Sequence, residues 1–303
     1  MLSLRHIDVD SADSWTNRSL SSSARSTAKE LAWKRPQTLT LFRVAYVCFP
    51  PRHDYNAADP KAYLGDGARL LRPHGSASAV AAALDDVGYV VVDGAVDGAA
   101  VNAIKRDLEA QVAAREFRRP AQQRVTGTRG DSFCWVHDAD AAAHGRAALA
   151  RAIRNLKGVA AALNAAAARD YRVDETAMTS RYPGPGERLE ATPYRGYRRH
   201  QDNHRDRSSG ACCNARAVTA ILYANPDWDG DRDGGLLRIF PRSTALNEAP
   251  DDNARVVELA PAGGRLVIFD SFLWHEVLPA KGRARFAVTL WITRPELQDA
   301  AVT

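Results

Sequence analysis

The chemistry-bearing residues of this chain fall in one order: His200-Gln201-Asp202, then His275, then Arg285 ten positions further on. Two imidazoles and a carboxylate on one face of a metal leave the remaining positions open, which is the ligand set of non-haem Fe(II) oxygenases. A fixed guanidinium nearby suits an organic acid, and the combination points to consumption of 2-oxoglutarate. Taken singly the signals are ordinary. A lone His-x-Asp is common surface chemistry, a lone strand histidine is usually hydrogen-bonded structure, and a lone arginine can form an exposed ion pair of little energetic value. Their order and placement give them joint meaning.

The elements that must position these residues read as strands. In an extended segment from Tyr197 to Asp202, residues at i and i+2 point to the same face, so His200 and Asp202 would converge. His275 lies in the apolar, aromatic-rich run from Phe272 to Val277, and a turn at Pro279-Ala280-Lys281-Gly282 leads into a strand from Ala284 to Thr293. There Phe286, Val288, Leu290 and Ile292 share an apolar face, and Arg285, Ala287, Thr289 and Trp291 share the other. Further strands are expected over Ala177 to Tyr182, Arg216 to Asn225, Gly235 to Phe240, Arg255 to Leu259 and Arg265 to Asp270. About eight short strands with intervening turns argue for a sandwich or jelly-roll barrel.

Helical spacing comes before these strands. Val80, Leu84 and Val87 mark a short helix ending at Gly88, followed by a buried strand from Tyr89 to Val92. Val101, Ile104, Leu108 and Val112 mark a second helix, and Leu149, Ile153, Leu156, Ala160 and Leu163 a third. The expected class is therefore α+β, with helices buttressing one sheet. Residues 1–75 show no sustained period and read as a poorly ordered extension, 76–295 as the catalytic domain and 296–303 as a tail.

The 303 residues, 45% of them hydrophobic, suffice for one sizeable domain. No run of about 18 apolar residues exists, which excludes a transmembrane helix. The net charge is +5 and the pI about 9.1. Arg195, Arg198, Arg199, Arg205 and Arg207 gather near the proposed site and read first as a solvated rim, with attraction of an acidic polypeptide or a phosphate backbone as the alternative. Cys48, Cys134, Cys212 and Cys213 form no disulfide framework, so a reducing compartment is expected. The Ser/Arg/Ala-rich stretch from Arg18 to Arg35 loosely resembles a transit peptide, against which Asp8, Asp10 and Asp13 argue. Asp229-x-Asp231-x-Asp233-Gly234 opens like a calcium loop, but its twelfth position is Phe240 rather than glutamate, so a polar turn is expected. Arg129-Gly130-Asp131 reads as structural, and His204 as a candidate supporting residue only.

Several stretches carry a resemblance to the prolyl hydroxylases that modify hypoxia-inducible factor, within the prolyl 4-hydroxylase group of Fe(II)/2-oxoglutarate dioxygenases. They are Arg129-Gly130-Asp131 with Trp135, Tyr182-Pro183-Gly184, His200-Gln201-Asp202-Asn203, Tyr223-Ala224-Asn225 with Asp227-Trp228, Gly234-Gly235-Leu236-Leu237-Arg238-Ile239-Phe240-Pro241, and His275-Glu276-Val277 through Arg285 to Trp291. The resemblance implies a double-stranded β-helix (jelly-roll) core, His200, Asp202 and His275 as iron ligands, and Arg285 as partner of the distal carboxylate of 2-oxoglutarate. It places Tyr182, Tyr223, Leu237, Thr289 and Trp291 around that cosubstrate. It further implies O2 as second cosubstrate, ascorbate to keep iron reduced, hydroxylation at prolyl C4 in a protein substrate and a link to oxygen sensing.

An arginine rather than a lysine at 285 separates this chain from the collagen-type relatives, because the two side chains are not interchangeable at a two-pronged carboxylate contact. Arg283 competes for the role from the same expected face. The chain departs from the family at Glu187 to Pro193, which resembles an insertion, and at Phe117 to Thr128, which looks shorter; both adjoin the region that would grip a polypeptide. The expected partner is a proline-containing protein or peptide, with no membrane and no nucleic acid; the chain is expected to be a monomer of the cytoplasm or nucleus. The alternatives are an AlkB-like oxygenase acting on nucleic acid, which would need a base-flipping pocket, and a non-catalytic metal-binding jelly roll.

Overall fold

The computed structural model describes residues 67–119, 127–187, 195–241 and 248–299. Most of the 1–75 extension, including the Arg18 to Arg35 stretch and Cys48, lies outside them, as do 120–126, 188–194 and the last four residues of the tail. Helices α1 (Gly67–Leu71), α2 (Ala77–Asp86) and α3 (Gly98–Ala113) precede α4 (Asp138–Ala143) and the long α5 (Ala147–Ala167). The strands are β1 (Tyr89–Val92), β2 (Ser132–His137), β3 (Arg172–Val173), β4 (Thr176–Tyr182), β5 (Tyr197–His200) and β6 (Arg216–Tyr223). They continue as β7 (Leu237–Phe240), β8 (Val257–Leu259), β9 (Leu266–Asp270), β10 (Trp274–Val277) and β11 (Arg285–Thr293). A one-turn α6 (Gly230–Asp233) and a C-terminal α7 (Pro295–Asp299) complete the chain.

The strands form two antiparallel sheets. The larger runs β1-β9-β6-β11-β4-β2, with β3 beside β11, and the smaller runs β5-β10-β7-β8. This is the expected α+β jelly roll. Its logic is period-two alternation. Val218, Ala220 and Leu222 of β6, Leu266 and Ile268 of β9 and the even-numbered apolar residues of β11 pack beneath the helices. Ile221, Tyr223, Val267, Phe269 and Ala287 turn the other way and meet Leu237, Ile239, Leu259 and Val277 of the small sheet.

Helix α5 lies across this layer because Leu149, Ile153, Leu156, Ala160 and Leu163 form one apolar stripe, and each is buried. Two shorter helices begin where the sequence supplies caps. Ser76 Oγ accepts from Ala79 N at 3.1 Å and Asp97 Oδ1 from Ala100 N at 2.7 Å.

Several details differ from the sequence reading. Helix α1 falls within the stretch that showed no period, yet Leu70 and Leu71 are buried in the helical core. Strand β2 had no counterpart; it is an edge strand in which Val136 alone is buried, so no apolar alternation announced it. Strand β5 ends at His200, leaving Asp202 in a bend. The acidic stretch after Asp229 forms a helical turn with Asp229 as its cap, rather than a plain turn. Among the described residues, no helix is long and apolar enough to cross a membrane.

Candidate active site

His200 ends β5 and His275 lies in β10, and the two strands pair so that these residues are direct partners. Their rings sit 4.1 Å apart, centroid to centroid. Each imidazole is oriented by its own chain: His200 Nδ1 donates to the Arg198 carbonyl at 2.8 Å and His275 Nδ1 to the Leu273 carbonyl at 3.0 Å. With Nδ1 protonated, both Nε2 lone pairs are free, and they face one carboxylate, at 3.8 Å from Asp202 Oδ1 and 3.7 Å from Asp202 Oδ2.

Asp202 reaches this position from its bend because the neighbouring residues are tied down. Asn203 N donates to the Ser271 carbonyl at 2.9 Å, and Asn203 Nδ2 to the carbonyls of Asn214 and Arg216. Asn214 Nδ2 in turn donates to the Asp202 carbonyl at 3.0 Å. The carboxylate accepts from Thr219 Oγ1 at 2.7 Å.

Burial is the largest influence on Asp202 and opposes its ionisation, but the facing His275 and His200 imidazoles and the Thr219 hydroxyl outweigh it and hold the carboxyl below the usual range. Burial and then the neighbouring His275 push the His200 imidazole far down, so it stays neutral at physiological pH. Two imidazoles and one carboxylate form the donor set of a divalent metal. Among the described residues these three make the one group of histidine, cysteine or acidic side chains that could hold a metal ion, all ligand atoms lying within 4.8 Å of one another. His204 lies apart from that group and is exposed.

Arg285 opens β11 on the same cavity. It is 2% exposed, and its guanidinium carbon lies 4.9 Å from the ring centroids of both Tyr182 and Tyr223. Nε donates to the Gly235 carbonyl at 3.0 Å, and an Nη donates to the Tyr223 hydroxyl at 3.3 Å. No carboxylate of the described residues pairs with it. Gly235, at φ +66°, makes this approach possible, since a Cβ there would lie 3.1 Å from Arg285 Cδ. An isolated buried cation is costly, and the arrangement fits an arriving carboxylate. Arg283, the competing candidate, is turned away and bound to Asp233 at 3.1 Å.

Tyr182, Leu237, Thr289 and Trp291 line a cavity of about 210 Å³ together with the three cluster residues and Arg285. Tyr223 stands behind Arg285 rather than on the cavity wall. Burial raises the phenols of Tyr182 and Tyr223, so both remain protonated. Trp291 is buried, and its indole assists Thr219 in holding the Asp202 carboxyl down.

Other lining residues escaped the sequence reading of the site. Tyr197 stacks on His200 at 3.6 Å, and Arg129 caps Tyr197 at 4.5 Å while pairing with Asp131 at 2.6 Å. Trp135, 46% exposed, sits 5.5 Å from Trp291 at the cavity rim, where Arg216 covers Trp291 at 3.9 Å. The aromatic at i−3 from His200 was the available signal for Tyr197; nothing local pointed to Arg216.

Residues 189–293 match the model of the 2OG-Fe(II) oxygenase superfamily. The chain is 36% identical over 126 residues to Egl nine homolog 1 of Rattus norvegicus, covering 40% of this chain and 30% of that protein. It is 26% identical over 246 residues to the hypoxia-inducible factor prolyl hydroxylase of Caenorhabditis elegans, covering 78% of this chain and 30% of that one. It thus spans less than a third of the length of either relative. A solved prolyl-4-hydroxylase from Pseudomonas putida superposes with a TM-score of 0.54 at 27% identity, over 72% of this chain and 98% of that one.

Proposed function

We infer, from a chain that carries a 2OG-Fe(II) oxygenase domain, with the requirement for Fe(II), 2-oxoglutarate and O2 which that family implies, that its activity is hydroxylation of a prolyl residue at C4 in a protein substrate. The observation that carries the reading is a buried guanidinium lacking a carboxylate partner among the described residues, beside a two-histidine, one-carboxylate cluster in one cavity. The prolyl assignment is supported by the names of the relatives, as is a link to oxygen sensing.

In this reading His200 and His275 through Nε2 and Asp202 through its carboxylate hold the iron, and Arg285 holds the distal carboxylate of 2-oxoglutarate in a two-pronged contact. When bound, the metal with its cosubstrates supplies oxidative decarboxylation of 2-oxoglutarate coupled to oxygen insertion into a C–H bond. The chain's own part is positioning. Nδ1 bonds to backbone carbonyls aim the two imidazoles, Thr219 orients Asp202, and the buried faces of Tyr182, Leu237, Thr289 and Trp291 exclude water from the cosubstrate, with Tyr223 steadying Arg285. Ascorbate serves as reductant. The catalytic domain spans 76–295, joined on its N-terminal side by the packed α1, with 1–75 as extension and 296–303 as tail, and the protein works as a monomer in the cytoplasm or nucleus.

Purified protein with Fe(II), 2-oxoglutarate and a set of proline peptides should release succinate and add one oxygen to a prolyl ring. Full turnover by His200→Ala would overturn the ligand assignment. Turnover stimulated by oligonucleotides and not by peptides would favour the nucleic-acid alternative.

A further inference from the structure

We propose that Arg199 is a positioning residue for the metal site, tying the strand that carries His200 to the strand that carries His275 through a carboxylate on the outer face of the small sheet. The inference rests on the reading of His200, Asp202 and His275 as metal ligands.

In the small sheet β5 pairs with β10 alone, and on its other side only a short bridge holds it, where Gly130 N donates to the Gly196 carbonyl at 2.6 Å and Arg198 N to the Thr128 carbonyl at 2.8 Å. The pairing with β10 is irregular. His275 partners His200 and Val277 partners Tyr197, but the register shifts between His275 and Val277, at Glu276. Backbone bonds therefore fix the spacing of the two histidines less firmly than a regular ladder would.

Side chains act at the same point. Arg199 and Glu276 each adjoin one histidine in sequence, so strand alternation sends them to the opposite face. Arg199 Nε, buried and without a hydrogen bond, lies 3.7 Å from Glu276 Oε2. Glu276 is 8% exposed and on its other side meets Arg238 Nη1 at 3.3 Å, while Arg238 pairs with Glu258 at 2.7 Å. A four-residue charge ladder thus crosses all four strands behind the cluster.

Its two arms differ in what they hold. The Arg199 arm holds the ligand strand β5, and its guanidinium also covers Phe240 of β7 at 4.3 Å, binds the Pro250 carbonyl and pairs with the exposed Asp252 at 3.2 Å. The Arg238 arm reaches β7 and β8, neither of which carries a residue of the metal cluster. Loss of Arg199 loosens β5 against β10 at the irregular step and weakens the convergence of Nε2 atoms now 3.7 and 3.8 Å from Asp202. Loss of Arg238 costs ladder stability and leaves the histidines in place.

The full chain and its Arg199→Ala, Arg199→Lys and Arg238→Ala variants would be titrated with Co(II), reading the visible ligand-field band and calorimetric affinity, with metal-free melting measured beside them. Arg199→Ala should bind Co(II) about tenfold more weakly with an altered band, Arg199→Lys should recover most of both, and Arg238→Ala should match the parent chain. Arg199→Gln, which keeps the stem on Phe240 without the charge, carries the test if the alanine variant does not fold. Parental affinity and band in the uncharged variant would overturn the proposal, as would an equal loss in Arg238→Ala. Failure of the parent chain itself to bind Co(II) would overturn the metal reading of the cluster instead.

Discussion

The two faces of the seven-stranded sheet share every backbone hydrogen bond and almost nothing else. In β11, Phe286, Val288, Leu290 and Ile292 belong to the helical core, while Arg285, Thr289 and Trp291, one residue out of phase, face the cavity. Strand β6 repeats the division, with Val218, Ala220 and Leu222 beneath the helices and Thr219, Ile221 and Tyr223 turned inward. A rigid ladder lets one sequence carry stability and chemistry on alternate residues. Substitutions at alternate positions should therefore separate the two.

The largest effect belongs to the helix face. Leu222 is fully buried, and Leu222→Ala should cost about 2–5 kcal/mol of stability by leaving a cavity. Metal and 2-oxoglutarate affinities should stay at parental values below the melting transition. A variant that melts as the parent does, or that loses metal affinity while still folded, would break the separation of faces.

On the inner face the sign reverses. Arg285→Met should weaken 2-oxoglutarate binding about a hundredfold, within the range for truncating a buried charge partner. Stability should hold or rise, because the substitution removes an isolated buried cation. Calorimetric titration and thermal melting of the same sample measure both, and a large drop in melting temperature would show that Arg285 is part of the fold's support. A smaller effect is expected at Thr219, whose hydroxyl orients the Asp202 carboxylate. Thr219→Val should lower metal affinity about tenfold with little change in melting.

How far these faces could be read from sequence follows from the range of the interactions that set them. The alternation in β11 is local, and Arg285, Thr289 and Trp291 were assignable to one side from spacing alone. That His200, Asp202 and His275 could share a metal is legible from residue type. Their convergence was only partly so, because same-face alternation was expected to aim Asp202, whereas Asn203 and its contacts with Ser271, Asn214 and Arg216 do so from a bend. Those partners lie far apart in sequence, and no period encodes them. The rim residues Trp135 and Arg216 were hidden for a related reason: β2 is an edge strand with a single buried side chain, and the stacking of Arg216 on Trp291 joins two strands.

The choice between Arg283 and Arg285 also rests on such a contact, and it gives the smallest and most specific test. Asp233 holds Arg283 outside the cavity while its backbone carbonyl accepts from Lys281 N at 2.7 Å. The hydrogen bond from Arg232, with burial opposing and the Asp229 N–H and Arg283 assisting, keeps the Asp233 carboxyl well below the ordinary range. A carboxyl whose value is depressed in the folded state stabilises the fold above its unfolded value of about 3.9, and that stabilisation is lost as pH falls toward the folded value. Asp233→Asn should therefore cost about 1 kcal/mol at neutral pH, and the difference from the parent chain should shrink as urea unfolding is repeated down to about pH 3. A cost that stayed constant across that range would place the role of Asp233 in its backbone turn rather than in its charge. The Asp233 carboxylate would then not be what keeps Arg283 out of the cavity.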